Sequence, residues 1–438
     1  MSSSAYAPTL SAAEHRRMLT RAAIAATIGT TIEWYDFFLY GTATGLVFAS
    51  LYFPNSDPLV GTLNAFGIYA VGFIARPIGA IIFGHFGDRI GRKSTLIATL
   101  MLMGIATVLV GCVPTYATIG IWGAIILTAL RFVQGVGVGG EWGGSVLLSM
   151  EWSRGNSGRG LAASWPQLGV AAGLFTSNLA VLIFSAWSGS AFLTWGWRIP
   201  FLLSIVLIAI GLWIRLGVEE SPSFKQVAAE SRIDKAPALT VIAQHPRLII
   251  LSALARMGEQ APFYIFTAFV FAYGVGTLKV SRELLLFSVM LASVLSVVTI
   301  PLSGHLSDRF GRRRMYMWGA ALTGVYGFIY VGLLNTTAPL LVFIAVVLSL
   351  IPHDIMYGPQ AALIAEGFPA RLRYSGASIG YQLASIIAGG PAPLIVAWLL
   401  AQYKTGWVIA YFTLACAVIS LIATSLMPDH TNKEIAGT

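Results

Sequence analysis

Charge is what this chain of 438 residues has least of: 10% of it is Asp, Glu, Lys or Arg, against roughly a quarter in an ordinary soluble domain. The deficit is uneven, since residues 94–130, 160–197, 284–307, 315–353 and 374–403 contain none of the four. A soluble protein keeps charge on its surface however large its core. Runs of this length therefore exclude a soluble globular fold and read as bilayer spans, which need about 18 or more such residues. Cysteine is scarce as well. Cys112 and Cys416 are the two present, both in apolar surroundings, which excludes a disulfide scaffold. The six histidines are scattered without a zinc spacing, so no metal, no cofactor and no compact catalytic cluster of an enzyme is expected.

What the chain has in abundance is apolar sequence, 56% of its residues. Splitting it at charged links and Pro/Gly turns gives twelve spans: 21–50, 59–84, 94–113, 117–148, 160–184, 196–216, 248–274, 284–306, 315–334, 338–363, 373–399 and 405–427. At about 1.5 Å per helical residue each can cross a hydrocarbon layer roughly 30 Å thick. The expected fold is an all-α membrane protein of twelve transmembrane helices in two six-helix bundles. An N-terminal segment (1–20), a first bundle (21–217), a linker (218–247), a second bundle (248–427) and a short tail (428–438) make up the chain. The first apolar segment, from Ala22, is long and continuous and is followed by further spans, so no cleavable signal peptide is expected.

A net charge of +9 would point a soluble protein towards nucleic acid, but here the basic residues sit in short links between spans. With both termini inside, twenty Lys and Arg fall on the inner side and four (Arg198, Lys279, Arg282 and Lys404) on the outer side. That asymmetry follows the positive-inside rule for a cell membrane with both termini cytoplasmic. The partners expected are a lipid bilayer, a small-molecule substrate and protons, with no nucleic acid.

An internal repeat supports the division into halves. GHFGDRIGRK at 84–93 returns as GHLSDRFGRR at 304–313, and EWSRGNSGRG at 151–160 is echoed by EGFPARLRYSG at 366–376. Such duplication generates two parallel six-helix units. Within the first pair, Gly84, Gly91 and Gly311 allow tight reversals. Asp88 and Asp308 can accept hydrogen bonds from orphan amides or from Arg89, Arg92, Arg309 and Arg312. The pattern fits a lock between helices that must later slide apart, or plain loop architecture.

Deep ionisable residues recur on every third span: Glu33 and Asp36 on the first, Arg131 on the fourth with Glu141 nearer its inner end, Arg256 and Glu259 on the seventh, His353 and Asp354 on the tenth. Arg76 on the second lies outside that series. Side chains like these face a protein interior or a watery cavity, never lipid. Spans one, four, seven and ten are therefore expected to line a central cavity. Glu33, about 18 Å deep by helical rise, and Asp36, three residues on, either exchange protons or form a fixed ion pair with Arg131 or Arg76. Arg131 and Arg256, one from each half, either clamp a carboxylate substrate or neutralise the neighbouring acids. His353 and Asp354 are a proton relay or structural. Gln134, Trp165, Gln167, Glu259, Tyr264, Tyr381 and Gln382 are candidate substrate contacts. Pro166, Pro262, Pro359 and the GGPAP run at 389–393 are candidate helix bends.

These residues resemble a known family. EWYDFFLYG (33–41), FIARPIGA (73–80), the 84–93 and 304–313 motifs, RFVQGVGVGGEWGG (131–144), WGWRIPF (195–201), EESP (219–222) and YSGASIGYQ (374–382) are similar to the major facilitator superfamily. Within it they match the metabolite:proton symporters for shikimate, 2-oxoglutarate, citrate and proline or betaine. The resemblance covers about residues 20–427. It implies proton-coupled uptake by rocking of two bundles about a central site. Gly84, Asp88, Arg89, Gly91 and Arg92 match its gating motif and Arg131 its buried arginine of the fourth helix. Ser307 stands where Gly87 stands in the first half, a departure from the pattern.

The function expected is import of a small organic acid, shikimate-like or another carboxylate, together with protons, by a chain that works as a monomer. An importer of a zwitterionic osmolyte such as proline or betaine, a proton-driven exporter, and a non-transporting sensor or scaffold are the alternatives.

Overall fold

The computed structural model of the chain describes residues 12–90, 92–139, 142, 158–216, 237–369 and 372–431. Helices make up most of the described residues, and twelve spans follow one another. α1 (Ala12–Ala43) continues through a π-turn, Thr44–Phe48, to Ala49–Tyr52. α2 (Pro58–Ile90), α3 (Arg92–Cys112), α4 (Trp122–Gly139) and α5 (Arg159–Ser188) come next. α6 joins Arg198–Leu202 to Ser204–Leu216. In the second half α7 is built from Pro246–Ala255, Met257–Tyr264 and the π-turns Ile265–Phe269 and Ala272–Thr277. α8 (Arg282–Phe310), α9 (Arg312–Asn335), α10 (Pro339–Leu348 with Leu350–Ala365) and α12 (Trp407–Ser425) are closer to regular. α11 runs Arg373–Ala384, π-turn Ser385–Gly389, Pro391–Tyr403.

Eight described helices have the length and apolar composition to cross a membrane outright, and shorter apolar helices at Ile97–Cys112 and Arg198–Ile214 belong to α3 and α6. α1 and α7 complete the set; they carry the buried charges that lower their mean hydropathy. Large apolar side chains such as Ile81, Trp213, Val298 and Leu340 are exposed on the outside, where lipid is their natural solvent, while most of the buried charge is packed inside. The π-turn of α11 precedes Pro391, which has no N–H for the carbonyl four residues back, so the turn before it widens.

Two helix crossings set the interior geometry. Gly135 and Gly139 of α4 lie against the backbone carbonyls of Gly72 and Arg76 on α2, and a Cβ at either glycine would overlap them. Gly160 of α5 meets Gly304 of α8 so closely that a Cβ on Gly304 would come within 2.8 Å of the Gly160 carbonyl oxygen. Small residues here allow backbone to touch backbone.

Of the first motif copy, Gly84, Asp88 and Arg89 form the last turns of α2 and Arg92 opens α3. Gly91 and Glu141 lie outside the described residues, as does the linker up to residue 236. The described end of that linker includes a short helix, Pro237–Gln244.

Candidate functional site

The halves meet at three levels. At the end holding the second motif copy, here the motif end, Asp308 accepts hydrogen bonds from the backbone N–H groups of Gly160 (2.9 Å) and Leu161 (3.2 Å). These are orphan amides at the N-terminus of α5, where the helix dipole favours a carboxylate. Arg312 pairs with Asp308 at 3.1 Å and with Glu366 at 2.9 Å, and Glu366 also meets Arg159 at 3.2 Å. Gly311, at φ 95°, makes the reversal from α8 to α9, while Arg309 is exposed. Burial pushes the Glu366 carboxyl up from 4.5 to about 7, with Arg312 and Arg159 pulling the other way. Neither Arg159 nor Glu366 was among the residues singled out from sequence. Both sit in the looser repeat, 151–160 and 366–376, which held the signal.

Midway lies a cavity of about 30 Å³ between the halves, with Glu33, Trp34, Arg76, Gln167, Tyr357, Tyr381 and Gln382 in its wall. That is room for one or two waters, not a metabolite, so the walls are drawn together in this form. Glu33 is 4% exposed and its Oε1 has no hydrogen-bond partner. Arg76 lies over the rings of Phe37 (4.3 Å), Phe73 (4.5 Å) and Trp34 (5.5 Å). Gln167 donates to the Tyr357 carbonyl at 2.6 Å and Gln382 to that of Gly139 at 3.3 Å.

Several expected contacts are set back from this wall. Asp36 faces α6, accepting from the Ser204 hydroxyl at 2.6 Å. Three residues along α1 turn it about 300° from Glu33, enough to bury it against α6. Arg131 is caged by Phe37, Tyr40 and Tyr69 at 4.2–4.6 Å. It donates to Gln134 at 3.2 Å, and Gln134 in turn donates to Thr107 at 2.7 Å. Trp165 lies outside the cavity wall and is 47% exposed. Two residues along a helix turn it about 200° from Gln167, which takes the inward face.

Behind the second-half wall runs a continuous buried network. Arg256 donates to the Tyr381 carbonyl at 2.6 Å, lies 3.4 Å from the centre of its ring, and pairs with Glu259 at 3.3 Å. Glu259 meets His353 Nε2 at 3.1 Å and accepts from Gln360 at 2.7 Å. His353 Nδ1 reaches its neighbour Asp354 at 2.9 Å, and Asp354 accepts from the Thr299 hydroxyl. Adjacent residues on a helix need not touch; here the imidazole bends to do so and holds a carboxylate on each nitrogen. With both carboxylates ionised, both contacts are hydrogen bonds at once only when both nitrogens carry protons.

Beyond the cavity, at the end opposite the motifs, ring pairs join the halves: Phe73–Tyr264 at 4.9 Å, Phe38–Phe263 at 5.6 Å, Phe66–Phe269 at 5.6 Å and Phe37–Tyr264 at 6.0 Å. Tyr264, a candidate substrate contact, is 1% exposed within this layer. The cavity is thus closed on one side by charge and on the other by rings.

The profile of the Major Facilitator Superfamily matches residues 26–390 and 276–436. The chain belongs to the major facilitator superfamily. Members of the superfamily are transporters, and this chain is a multi-pass cell membrane transporter, not an enzyme. It is 42% identical over 417 residues to the shikimate transporter of Escherichia coli (strain K12), covering 93% of this chain and 94% of that one. Over 419 residues it is 40% identical to an inner membrane metabolite transport protein of the same organism, with 94% of each covered. The proline/betaine transporter of Salmonella typhimurium is 30% identical over 432 residues, 96% of this chain and 85% of that one. Among solved structures, the D-xylose-proton symporter superposes with a TM-score of 0.73 over 94% of this chain and 99% of its own, at 19% identity, a likeness of fold.

Proposed function

We propose that this transporter imports a small organic acid together with a proton by alternating access, as a monomer with both termini cytoplasmic. One observation carries the reading: the Glu33 carboxylate is buried in a cavity between the halves with an oxygen left unpaired. A carboxylate so placed is costly to keep ionised when sealed and ionises readily once the cavity opens to water. The linked Glu259–His353–Asp354 network supplies a second place to hold a proton, next to the same wall. Likeness to a shikimate transporter at 42% identity favours an acid as cargo over the betaine carried by the relative at 30%. The excess of Lys and Arg on the links of the motif end supports its cytoplasmic placement.

The test is purified protein in sealed vesicles under an imposed pH gradient, offered a panel of carboxylic acids, proline and betaine. Wild type is expected to accumulate an acid down the proton gradient. Glu33→Gln is expected to keep exchange of labelled for unlabelled acid while losing gradient-driven accumulation. Accumulation undiminished in Glu33→Gln would sink the proton assignment, and betaine uptake without acid uptake would sink the substrate class.

A further inference from the structure

The deep arginines differ in how their donors are used. Arg256 is committed to Glu259 and to the Tyr381 carbonyl, and Arg131, held in its aromatic cage with Gln134 and the Tyr69 carbonyl, has one nitrogen, Nη2, without a partner. Arg76 is wholly buried and lines the cavity, yet its Nε and Nη2 have no hydrogen-bond partner. Its Nη1 crosses to Ser385 of α11 at 3.4 Å, and Ser385 also accepts from Gln260 of α7 at 3.1 Å. Three ring faces hold the cation in place but accept no hydrogen bonds. Nε and Nη2 together form the side of the guanidinium that meets a carboxylate with two parallel bonds.

We propose that Arg76 receives the carboxylate of the transported acid through Nε and Nη2, and that Glu33 competes with the acid for this cation. The assignment rests on the acid-symport reading above and names its binding residue. Among the described residues of the cavity wall, Glu33 is the acid and Arg76 the cation. With Glu33 ionised, the pair cancels and Arg76 has a counter-charge already. With Glu33 protonated, one positive charge remains, and it matches one monoanion. Proton and acid then cross as a pair with no net charge. Gln382 Oε1, also in the wall and without a partner, accepts a hydrogen bond from a hydroxyl. The ligand class is a hydroxylated monocarboxylic acid.

Binding to the purified full-length transporter tests this, with shikimate as the probe and its methyl ester as the uncharged control. Wild type is expected to bind the acid at least tenfold more tightly than the ester. Arg76→Gln is expected to lose that preference, its affinity for the acid falling to that for the ester. Arg76→Lys, which keeps the charge but not the paired donors, falls between. Glu33→Gln is expected to hold the acid equally well at pH 6 and pH 8, where wild type weakens at the higher pH. If Arg76→Gln binds and accumulates acids as wild type does, the symport reading stands and the Arg76 assignment falls. If wild type neither binds nor accumulates any hydroxylated monocarboxylate, the reading itself falls and takes the assignment with it. Should Arg76→Gln fail to insert, Arg76→Lys decides: undiminished acid affinity in a helical, monodisperse protein overturns the proposal, and loss in such a protein supports it.

Discussion

Arg256 and Glu259 are a buried pair whose members depend on each other. Removing one partner leaves an uncompensated charge in a low-dielectric interior, at a cost of about 3–5 kcal/mol. Arg256→Ala is therefore expected to lower the thermal midpoint of the purified transporter markedly. Adding Glu259→Gln to that variant should restore part of the loss, because the stranded charge is then gone. Equal midpoints for Arg256→Ala and wild type would show that Glu259 is already neutral there. At this scale the sequence disclosed which residues are deep and which are charged, since both are read along the chain. Their azimuth was hidden. Whether Arg76 or Arg131 reaches the cavity depends on how α2 and α4 are rotated, and that is fixed by Gly135 and Gly139 lying on the carbonyls of Gly72 and Arg76.

Among elements, the joint between α5, α8 and α10 carries a titrating group, Glu366, just past the end of α10. In the closed joint Glu366 binds its proton up to about pH 7, against 4.5 for an ordinary glutamate. The closed form therefore holds more protons than an opened one in that window, and by linkage closure is favoured by acid and loses that advantage as pH rises through about 7. Distances between spin labels on α5 and α8 are expected to lengthen from pH 5 to pH 8 in wild type and to stay constant in Glu366→Gln. A joint that loosens on acidification would contradict this. The helices themselves were legible because uncharged apolar stretches of about 18 or more residues are seldom anything but bilayer spans. The π-turns of α1, α7 and α11 were not. A change from i→i−4 to i→i−5 bonding alters no side chain's hydropathy, and Pro391 marks a break without saying which kind.

For the whole molecule, the doubled motif was enough to anticipate two matching halves, because a repeated sequence builds a repeated packing unit. How those halves close on each other could not be read, since it depends on contacts such as Phe73–Tyr264 and Asp308–Gly160 between residues nearly two hundred or more than a hundred positions apart. The 30 Å³ cavity is too small for cargo of metabolite size, which requires one wall to withdraw.

The ring layer joining Phe37, Phe38, Phe66 and Phe73 to Phe263, Tyr264 and Phe269 carries a consequence for temperature. Parting it wets apolar surface, and the free-energy penalty for that shrinks on cooling, whereas the Asp308–Glu366 side depends on ion pairs that respond differently. Chilling should thus bias the resting carrier towards exposure on the aromatic side, and fluorescence quenching of a probe behind Phe66 at 5 °C against 35 °C would register it. Warmth, by the same token, helps keep that door shut.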